Sequence, residues 1–445
     1  MLKLFLKKII LRLERLVLFD FKSSAYEHSW NSRIEFNNEQ FHGVFNAEDL
    51  VAKMIKRIKK FIKRHFSKEL QILRRWDYVL YYLINRVRYK VIPTQIFMLS
   101  ESREELSGNL KYIDDAIDKT RFSVIYSLRK SITQKRNREE KKELCKLLAT
   151  SKYILVDDFI PTMYPIPLRK ETRFIQVWHA MGAFKTVGFS RLGKPGGPSP
   201  RSLSHRNYTD TIVSSEQIRQ NYAEAFRIDI DKVHAIGTPR TDVFFDMDYR
   251  EKIRKEIFET YPQLKGKKVV LFAPTFRGNG VRSVHYDYSW ISFSKIQKML
   301  GDKYIFIIKM HPFISDMPEE NLDPDFFLNM SEEREINDLL FITDVLITDY
   351  SSVIFEASLL DVQTVFFVPD YEEYIASRDF YYPYSEYTYG SVVNNDDELI
   401  EAILKNKNDE VKLVEFKNKF CSACDGHCSE KFVDFFFDEG NKWQL

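Results

Sequence analysis

The sequence has 445 residues, of which 44% are hydrophobic, 15% aromatic and 29% charged. This composition is typical of a water-soluble chain with large cores, and the length suggests two or three domains. No apolar run reaches the roughly 18 residues of a membrane-spanning helix, no cleavable signal peptide is recognisable, and the few cysteines make no disulfide framework. We therefore expect a protein of a reducing cytosol.

The net charge of +3 conceals a basic N-terminal region. Residues 1–90 hold 20 Lys and Arg against 9 Asp and Glu, whereas residues 91–445 hold 47 against 55. Within residues 51–66 the apolar positions recur at steps of three and four, so they share one face of a helix whose other faces are basic. Residues 1–19 repeat this pattern more loosely. Such helices lie on anionic membranes, so we predict that residues 1–90 form a basic amphipathic membrane-associating region.

Two other interpretations of this basic region are open. Its helices could cover the edge of a domain with their charges in water, or they could contact nucleic acid. Nucleic acid is the weaker alternative, because aromatic side chains that could stack on bases are not interleaved with the charges. We expect an anionic membrane surface as a partner, and no nucleic acid.

From about residue 91 short apolar runs alternate with helical patterns. The predicted strands cover residues 95–99, 122–126, 153–156, 174–178, 211–213 and 233–236 in a first series, and 268–273, 304–310, 345–348 and 364–368 in a second. Buried strands that alternate with helices indicate parallel, doubly wound sheets. We predict an α/β fold with two Rossmann-type domains, residues 91–245 and 246–445, and a boundary near residues 237–246. Ligands of such folds bind outside the carboxyl ends of strands, here in the cleft between the domains.

Polar side chains follow five of the predicted strands. In chain order they are His179 with Lys185, Arg240 with Asp242, Thr275 with Arg277, Lys309 with His311, and Asp349 with Ser351 and Ser352. Carboxyl ends of parallel strands share one edge of a sheet, so this convergence predicts an anionic, phosphorylated ligand. A Gly- and Pro-rich loop, residues 187–202, lies beside the first of these segments, and long loops in such places are often functional.

Two of these segments carry a specific chemistry. In TDYSS, residues 348–352, Ser351 or Ser352 is placed to cap the next helix, and the free N–H groups of a helix N-terminus bind phosphate. The alternative is an ordinary N-cap with Asp349 in a turn. His179 suits general acid–base work because the ordinary pKa of histidine lies near neutrality, and the alternative is a structural histidine.

The segment CSACDGHC contains side chains that bind zinc in other proteins. They are Cys421, Cys424, His427 and Cys428. No second cluster accompanies them, so the segment favours buried or incidental thiols, and no metal site is predicted.

Six motifs in order resemble the CDP-glycerol glycerophosphotransferases of bacterial wall teichoic acid synthesis. The family pattern reads WHG-x-x-x-K-x-x-G, G-x-PR-x-D, PT-x-R, a strand ending in HP, TDYSS with F-D/E, and D-x-x-x-Y with RGFY. Here the matching segments are WHAMGAFKTVG, GTPRTD, PTFR, KMHP, TDYSSVIFE, and residues 370–374 with 378–381. DGHCSEKF, residues 425–432, is similar to a closing DG-x-x-S pattern, and residues 98–113 to the family's first strand, loop and helix. The resemblance covers about residues 91–435.

The resemblance implies a GT-B-like fold and transfer of glycerol phosphate, or another polyol phosphate, from a CDP-activated donor to a hydroxyl of a lipid-linked glycan or polyol-phosphate acceptor. CMP would be released, in synthesis of teichoic acid or a similar capsule. It implies that His179 is the base toward the acceptor hydroxyl and that His311 acts near the donor pyrophosphate. The implied donor contacts are Ser351, Ser352, Arg277, Asp349 and Arg378, and the implied acceptor or phosphate contacts are Lys185 and Arg240. A peripheral enzyme on the cytoplasmic face of the cell membrane is expected.

The sequence departs from the family pattern at Ala180 and Asp379, where the family usually has glycine. Both positions lie beside the implied site, so they put the identity of the substrate in question. A nucleotide-sugar glycosyltransferase of GT-B fold in cell-surface polysaccharide synthesis, and a non-catalytic membrane scaffold, are the alternatives. No cofactor is implied, although free Mg²⁺ could assist the phosphates.

Overall fold

The computed structural model describes residues 47–278, 283–311, 314, 322–405 and 407–438. The loosely amphipathic pattern of residues 1–19 lies outside these ranges. The chain divides into two compact units, Met1–Phe61 and Ile62–Leu445. Helix α1 covers Ala47–Arg74, with a break in helical geometry at Phe66 (φ −125°, ψ 18°), and so includes the predicted basic helix.

The first sheet contains six parallel strands in the order β2-β1-β3-β4-β5-β6. The strands are β1 Ile92–Ser100, β2 Ser123–Leu128, β3 Ser151–Val156, β4 Arg173–Gln176, β5 Asp210–Ile212 and β6 Val233–His234. The accompanying helices are α2 Trp76–Arg88, α3 Gly108–Ala116, α4 Arg138–Thr150 and α5 Arg219–Phe226. The central strands are buried on both faces, as expected of parallel strands covered by helices. Helix α4 begins with a capping box of Asn137 and Glu140.

The second sheet also contains six parallel strands, in the order β12-β11-β10-β7-β8-β9. The strands are β7 Lys268–Phe272, β8 Tyr304–Ile308, β9 Phe327–Asn329, β10 Val345–Thr348, β11 Gln363–Phe367 and β12 Ser391–Val393. The helices are α6 Met247–Thr260, α7 Phe293–Leu300, α8 Ile336–Leu340, α9 Val353–Leu359, α10 Tyr371–Ser377, α11 Asp396–Lys405, α12 Glu410–Phe420 and α13 Cys428–Phe436. The predicted α/β class with two parallel sheets is confirmed.

The last helix, α13, returns to the first sheet. Phe432 and Phe436 are buried in one cluster with Ile96 and Ile175 of β1 and β4. The carboxylate of Asp242 accepts the backbone N–H groups of residues 428 and 429 at 2.8 Å and so caps this helix. The sequence assigned α13 to the second domain and did not anticipate this return.

Because the strands of each sheet are parallel, the loops that leave their carboxyl ends gather at one edge. The loops after β4, β7, β8 and β10 carry the candidate residues of the predicted site. In the part of the chain that the structure describes, no helix combines the length and the apolarity that a membrane crossing requires.

Candidate active site

Arg277 forms a buried ion-pair network that joins three loops. Its guanidinium lies 2.9 Å from Oδ2 of Asp349 and donates to both carboxylate oxygens of Asp370 at 2.6 and 2.8 Å. Burial lowers the pKa of Arg277, but the hydrogen bonds that it donates to Asp370 and the charge of Asp349 raise the pKa above its ordinary value overall. Asp349 is 1% exposed and accepts the backbone N–H of Thr275 at 2.7 Å. The pair therefore holds the loops after β7 and β10 together.

Two tyrosines enclose this network. The rings of Tyr350 and Tyr374 stack with centroids 3.7 Å apart, and the Arg277 guanidinium lies 5.2 and 4.9 Å from their centroids. Asp370 and Tyr374 belong to a motif that the resemblance identified without assigning roles. Sequence reasoning therefore missed Asp370, although its motif was visible.

A larger cavity of about 1060 Å³ opens at the carboxyl edge of the second sheet. Six of the polar residues that the sequence singled out line it, namely Arg240, Thr275, Lys309, His311, Ser351 and Ser352. The Oγ of Ser351 accepts the backbone N–H of Val353 at 3.4 Å, and the side chain of Ser352 makes no capping bond although Ser352 is the N-cap of α9. The hydroxyls thus stand at a helix start beside the cavity, as the sequence predicted.

Lys309 shapes one wall of the larger cavity. Its ammonium donates to the carbonyl oxygens of Met330 and Ser331 at 3.0 and 2.8 Å, and also to that of Arg334. Burial lowers the pKa of Lys309. The residue therefore holds the segment of residues 330–334 in place.

Arg240 and Glu356 join the loop after β6 to helix α9. They form an ion pair, and the side chain of Glu356 is almost fully buried. The backbone N–H of Arg240 donates to Oδ1 of Asn109 at 3.0 Å. Glu356 closes the motif TDYSSVIFE, so its place in the sequence signalled a role that was not assigned to it.

His311 is half-buried in the wall of the larger cavity. Its ring lies 4.7 Å from that of Phe276, measured between centroids. Burial and the nearby charge of Lys185 lower the pKa of His311, which favours the neutral imidazole at neutral pH. A neutral histidine at this place can donate one hydrogen bond to an oxygen of a ligand.

A smaller cavity of about 540 Å³ lies beside the first, and Thr275 lines both. Lys185, Arg378 and Trp178 line the smaller cavity. Burial and the charges of Arg378 and Arg277 lower the pKa of Lys185 to about 8, against the opposing effect of Asp349. The structure thus brings together Lys185 from the first half and Arg378 from the second.

His179 stands directly after Trp178 and is not part of the wall of either cavity. Its side chain is 42% exposed, with Nδ1 3.3 Å from the carbonyl oxygen of Asp157 and 3.7 Å from a carboxylate oxygen of Asp158. A proton on Nδ1 is oriented by these oxygens and leaves Nε2 as the acceptor.

The cysteine-rich segment has no metal-binding arrangement in the described residues. Cys421, Cys424 and Cys428 are buried, whereas His427 is exposed and bonds Glu430 at 3.1 Å. The DGHC stretch instead begins helix α13.

Comparison with known proteins places these features in a family. The model of the family described as CDP-Glycerol:Poly(glycerophosphate) glycerophosphotransferase matches residues 79–438. A teichoic acid poly(ribitol-phosphate) polymerase of Bacillus spizizenii is 44% identical over 354 residues, which is 78% of this chain and 57% of that protein. The ribitol-phosphate polymerase TarK of Staphylococcus aureus is 43% identical over 77% of this chain and 68% of its own length. This chain thus spans little more than half of the first relative.

The fold is that of a solved wall teichoic acid polymerase, TagF. The two structures agree with a TM-score of 0.65 at 22% identity, over 87% of this chain and 97% of the TagF chain. The predicted GT-B-like arrangement of two sheets is therefore confirmed.

Proposed function

This chain belongs to the CDP-glycerol:poly(glycerophosphate) glycerophosphotransferase family, and we propose that it transfers a polyol phosphate from a CDP-activated donor to a hydroxyl of a lipid-linked acceptor. CMP leaves, and the product is a teichoic acid or a teichoic-acid-like capsule. One observation carries the proposal. His311, Ser351 and Ser352 share the larger cavity, and Trp178, the neighbour of His179, lines the cavity next to it.

The polyol that we propose is ribitol. The two relatives at 44% and 43% identity are named as ribitol-phosphate polymerases. CDP-glycerol, which the family description names, is the competing donor. Of the two departures, Asp379 lines the smaller cavity, and Ala180 directly follows His179 in the sequence.

The proposed reaction replaces one phosphorus–oxygen bond by another. The acceptor oxygen attacks the phosphorus that carries the polyol, a new bond forms there, and the bond from that phosphorus to the bridging oxygen breaks. CMP leaves with the electron pair. Nε2 of His179 takes the proton of the attacking hydroxyl, because Nδ1 is turned to the carbonyl oxygen of Asp157 at 3.3 Å.

The donor side supplies charge stabilisation rather than covalent chemistry. Ser351, Ser352 and the N–H groups at the start of α9 contact the pyrophosphate, and His311 donates a hydrogen bond to it. Arg277 and Asp349 position these loops through their own ion pair at 2.9 Å instead of facing the ligand. A free Mg²⁺ ion can accompany the donor phosphates.

A membrane surface accounts for an exposed apolar stripe on helices α1 and α2, which precede the first sheet in the chain. Leu73, Trp76, Leu80, Ile84 and Val87 follow at steps of three and four and are exposed, Trp76 by 60% and Val87 by 88%. The helix ends carry exposed basic residues, namely Arg74, Arg86, Arg88 and Lys90. An apolar face with tryptophan and a basic rim fits an anionic lipid surface. We propose peripheral attachment to the cytoplasmic face of the membrane through this stripe and the basic part of α1.

The decisive experiment offers the protein CDP-ribitol, CDP-glycerol and UDP-sugars together with a synthetic lipid-linked acceptor, and measures products by mass. CDP-ribitol should be used best. His179→Ala and His311→Ala should each lose at least about 100-fold in turnover with the fold retained, as expected for acid–base and charge-stabilising groups.

His427→Ala is the matched control, because His427 is exposed and bonds only within its own helix start. It should keep full activity. Turnover with UDP-sugars alone would identify a glycosyltransferase instead, and wild-type protein without turnover on any of these donors is the result expected of a non-catalytic scaffold. Full activity of both histidine variants would contradict the roles given to His179 and His311.

A further inference from the structure

Lys185 and Arg378, which are predicted site residues, line one end of the smaller cavity. Its second end is lined by Gly188, Ser204 and His205, which are not among the predicted site residues. Its volume of about 540 Å³ lies within the range of about 300–1,000 Å³ of ligand sites. A cavity with two chemically different ends calls for a ligand with two different groups.

His205 is buried at this second end without a hydrogen-bond partner for Nδ1. The residue is 4% exposed, and its backbone has a positive φ of 60°. Its ring lies 4.9 to 5.7 Å from the rings of Phe159, Tyr164 and Phe226. Burial in this aromatic cage lowers the pKa of His205 to about 4, so the imidazole is neutral. A buried polar group without a partner costs free energy, and a bound hydroxyl would remove part of that cost.

Gly188 packs closely against the other ring nitrogen and against the backbone of Ala225. A Cβ at this position would lie 3.1 Å from Nε2 of His205 and 2.2 Å from the carbonyl oxygen of Ala225. Any larger residue would therefore displace the backbone of Ala225 or the ring of His205, which is itself part of the cavity wall. Neutral Nε2 can donate to or accept from a hydroxyl, according to its tautomer.

The loop of residues 187–202 closes the cavity from outside. Asp379 binds the ammonium of Lys194 at 2.6 Å and lies 3.8 Å from the guanidinium of Arg191. The backbone carbonyl of Asp379 accepts the N–H of Thr186 at 3.0 Å. The loop is thus fastened to the second half of the molecule beside Lys185 and Arg378.

We propose that the smaller cavity binds the terminal polyol-phosphate unit of the acceptor, with its phosphodiester at Lys185 and Arg378 and a polyol hydroxyl at His205. This inference rests on the proposed function. The acceptor fits better than the donor polyol, because Trp178 places this cavity beside His179, whereas Ser351, Ser352 and His311 line the other cavity. Small-molecule sites combine aromatic walls with polar groups that fix the orientation of the ligand, and this cavity has Phe159, Trp178 and Phe276 together with Lys185, Arg378 and His205.

The first test separates acceptor from donor kinetics in the full chain. His205→Asn keeps a polar side chain that tolerates positive φ, and it should raise the acceptor KM about tenfold, as loss of one hydrogen bond predicts. The donor KM should stay within about twofold, since no donor contact is removed. Lys185→Gln should raise the acceptor KM as well, and it tests the phosphate end if the His205 variant is unstable.

The second test needs no turnover. In nitrogen-15 NMR of imidazole-labelled protein, ribitol 5-phosphate should shift the His205 signal, whereas CMP should not. His234→Asn is the control, because His234 is partly buried against Asp210 at 2.9 Å and lies outside the cavity. A higher donor KM with an unchanged acceptor KM, or a His205 signal that moves with CMP alone, overturns the inference, as does no change in either measurement. Failure of the proposed function would instead appear as wild-type protein that turns over no CDP-polyol.

Discussion

At the scale of single residues, Arg277 stabilises the structure of the site rather than taking part in the proposed reaction. It neutralises two carboxylates, Asp349 and Asp370, that are both nearly buried. Arg277→Gln should lower the free energy of unfolding by about 3–5 kcal/mol, because removing one partner leaves buried charges uncompensated. Urea unfolding measures this loss.

The control for Arg277 is Lys111→Gln, which breaks an exposed ion pair with Asp115 on helix α3. Lys111→Gln should lower the free energy of unfolding by less than about 0.5 kcal/mol. A loss below about 1 kcal/mol for Arg277→Gln would contradict the role of a buried cross-link.

His205 predicts a dependence of stability on pH. Its pKa falls from 6.5 in the unfolded chain to about 4 in the folded protein. Between pH 6.5 and pH 4 the imidazole is protonated in the unfolded state but neutral in the folded state. The contribution of His205 to the free energy of unfolding is therefore complete above the unfolded pKa and is lost as the pH falls toward 4. The loss amounts to about 3 kcal/mol across this window.

Unfolding free energies of wild type and His205→Asn, measured at intervals from pH 7 to pH 4, isolate this contribution. As the pH falls, the free energy of unfolding of wild type should decrease more than that of His205→Asn. Two parallel pH profiles would show that His205 titrates alike in the folded and unfolded states.

At the scale of elements, Asp242 connects the loop after β6 to the last helix, α13. Its two carboxylate oxygens accept the first two N–H groups at the start of α13. Asp242→Ala should lower the free energy of unfolding by about 2 kcal/mol, since a charged cap is lost at a buried helix start. Hydrogen exchange should show faster opening of α13.

Asp409→Ala is the comparison, because Asp409 caps α12 through one N–H group at an exposed position. Its cost should be about 1 kcal/mol or less. If Asp242→Ala and Asp409→Ala lowered the free energy of unfolding equally, the packing of α13 against the first sheet would not depend on its cap.

The sequence predicted ten of the strands and the edge at which the site forms, because continuous apolar runs followed by polar residues are a local signal. Strands β9 and β12 were missed, since each has three residues and no strong apolar run. The pairing of Arg277 with Asp370 was also missed, because a contact between residues 93 apart leaves no local pattern. His205 was missed for the same reason, because the rings of Phe159, Tyr164 and Phe226 that surround it lie far from it in the sequence.

At the scale of the whole molecule, the two halves are joined at the site by hydrogen bonds to main-chain carbonyl groups. The N–H of Tyr381 donates to the carbonyl oxygen of Phe184 at 2.9 Å, and the hydroxyl of Tyr387 donates to that of Ala183 at 2.7 Å. These bonds fix Lys185 of the first half against Arg378 of the second. The proposed chemistry therefore needs both sheets in one arrangement.

The exposed apolar stripe that we propose for membrane contact lies on α1 and α2, and none of its residues belongs to the walls of the two cavities. The double variant Leu80→Glu with Val87→Glu should lower turnover about tenfold or more on an acceptor embedded in anionic vesicles, because two charges replace apolar side chains that enter the lipid. Turnover on a short water-soluble acceptor should be unchanged, and added salt should weaken the vesicle reaction of wild type. Leu404→Glu, at an exposed leucine of α11, is the matched control and should affect neither reaction. An equal loss on both acceptors would place the damage in the catalytic site rather than at the lipid surface.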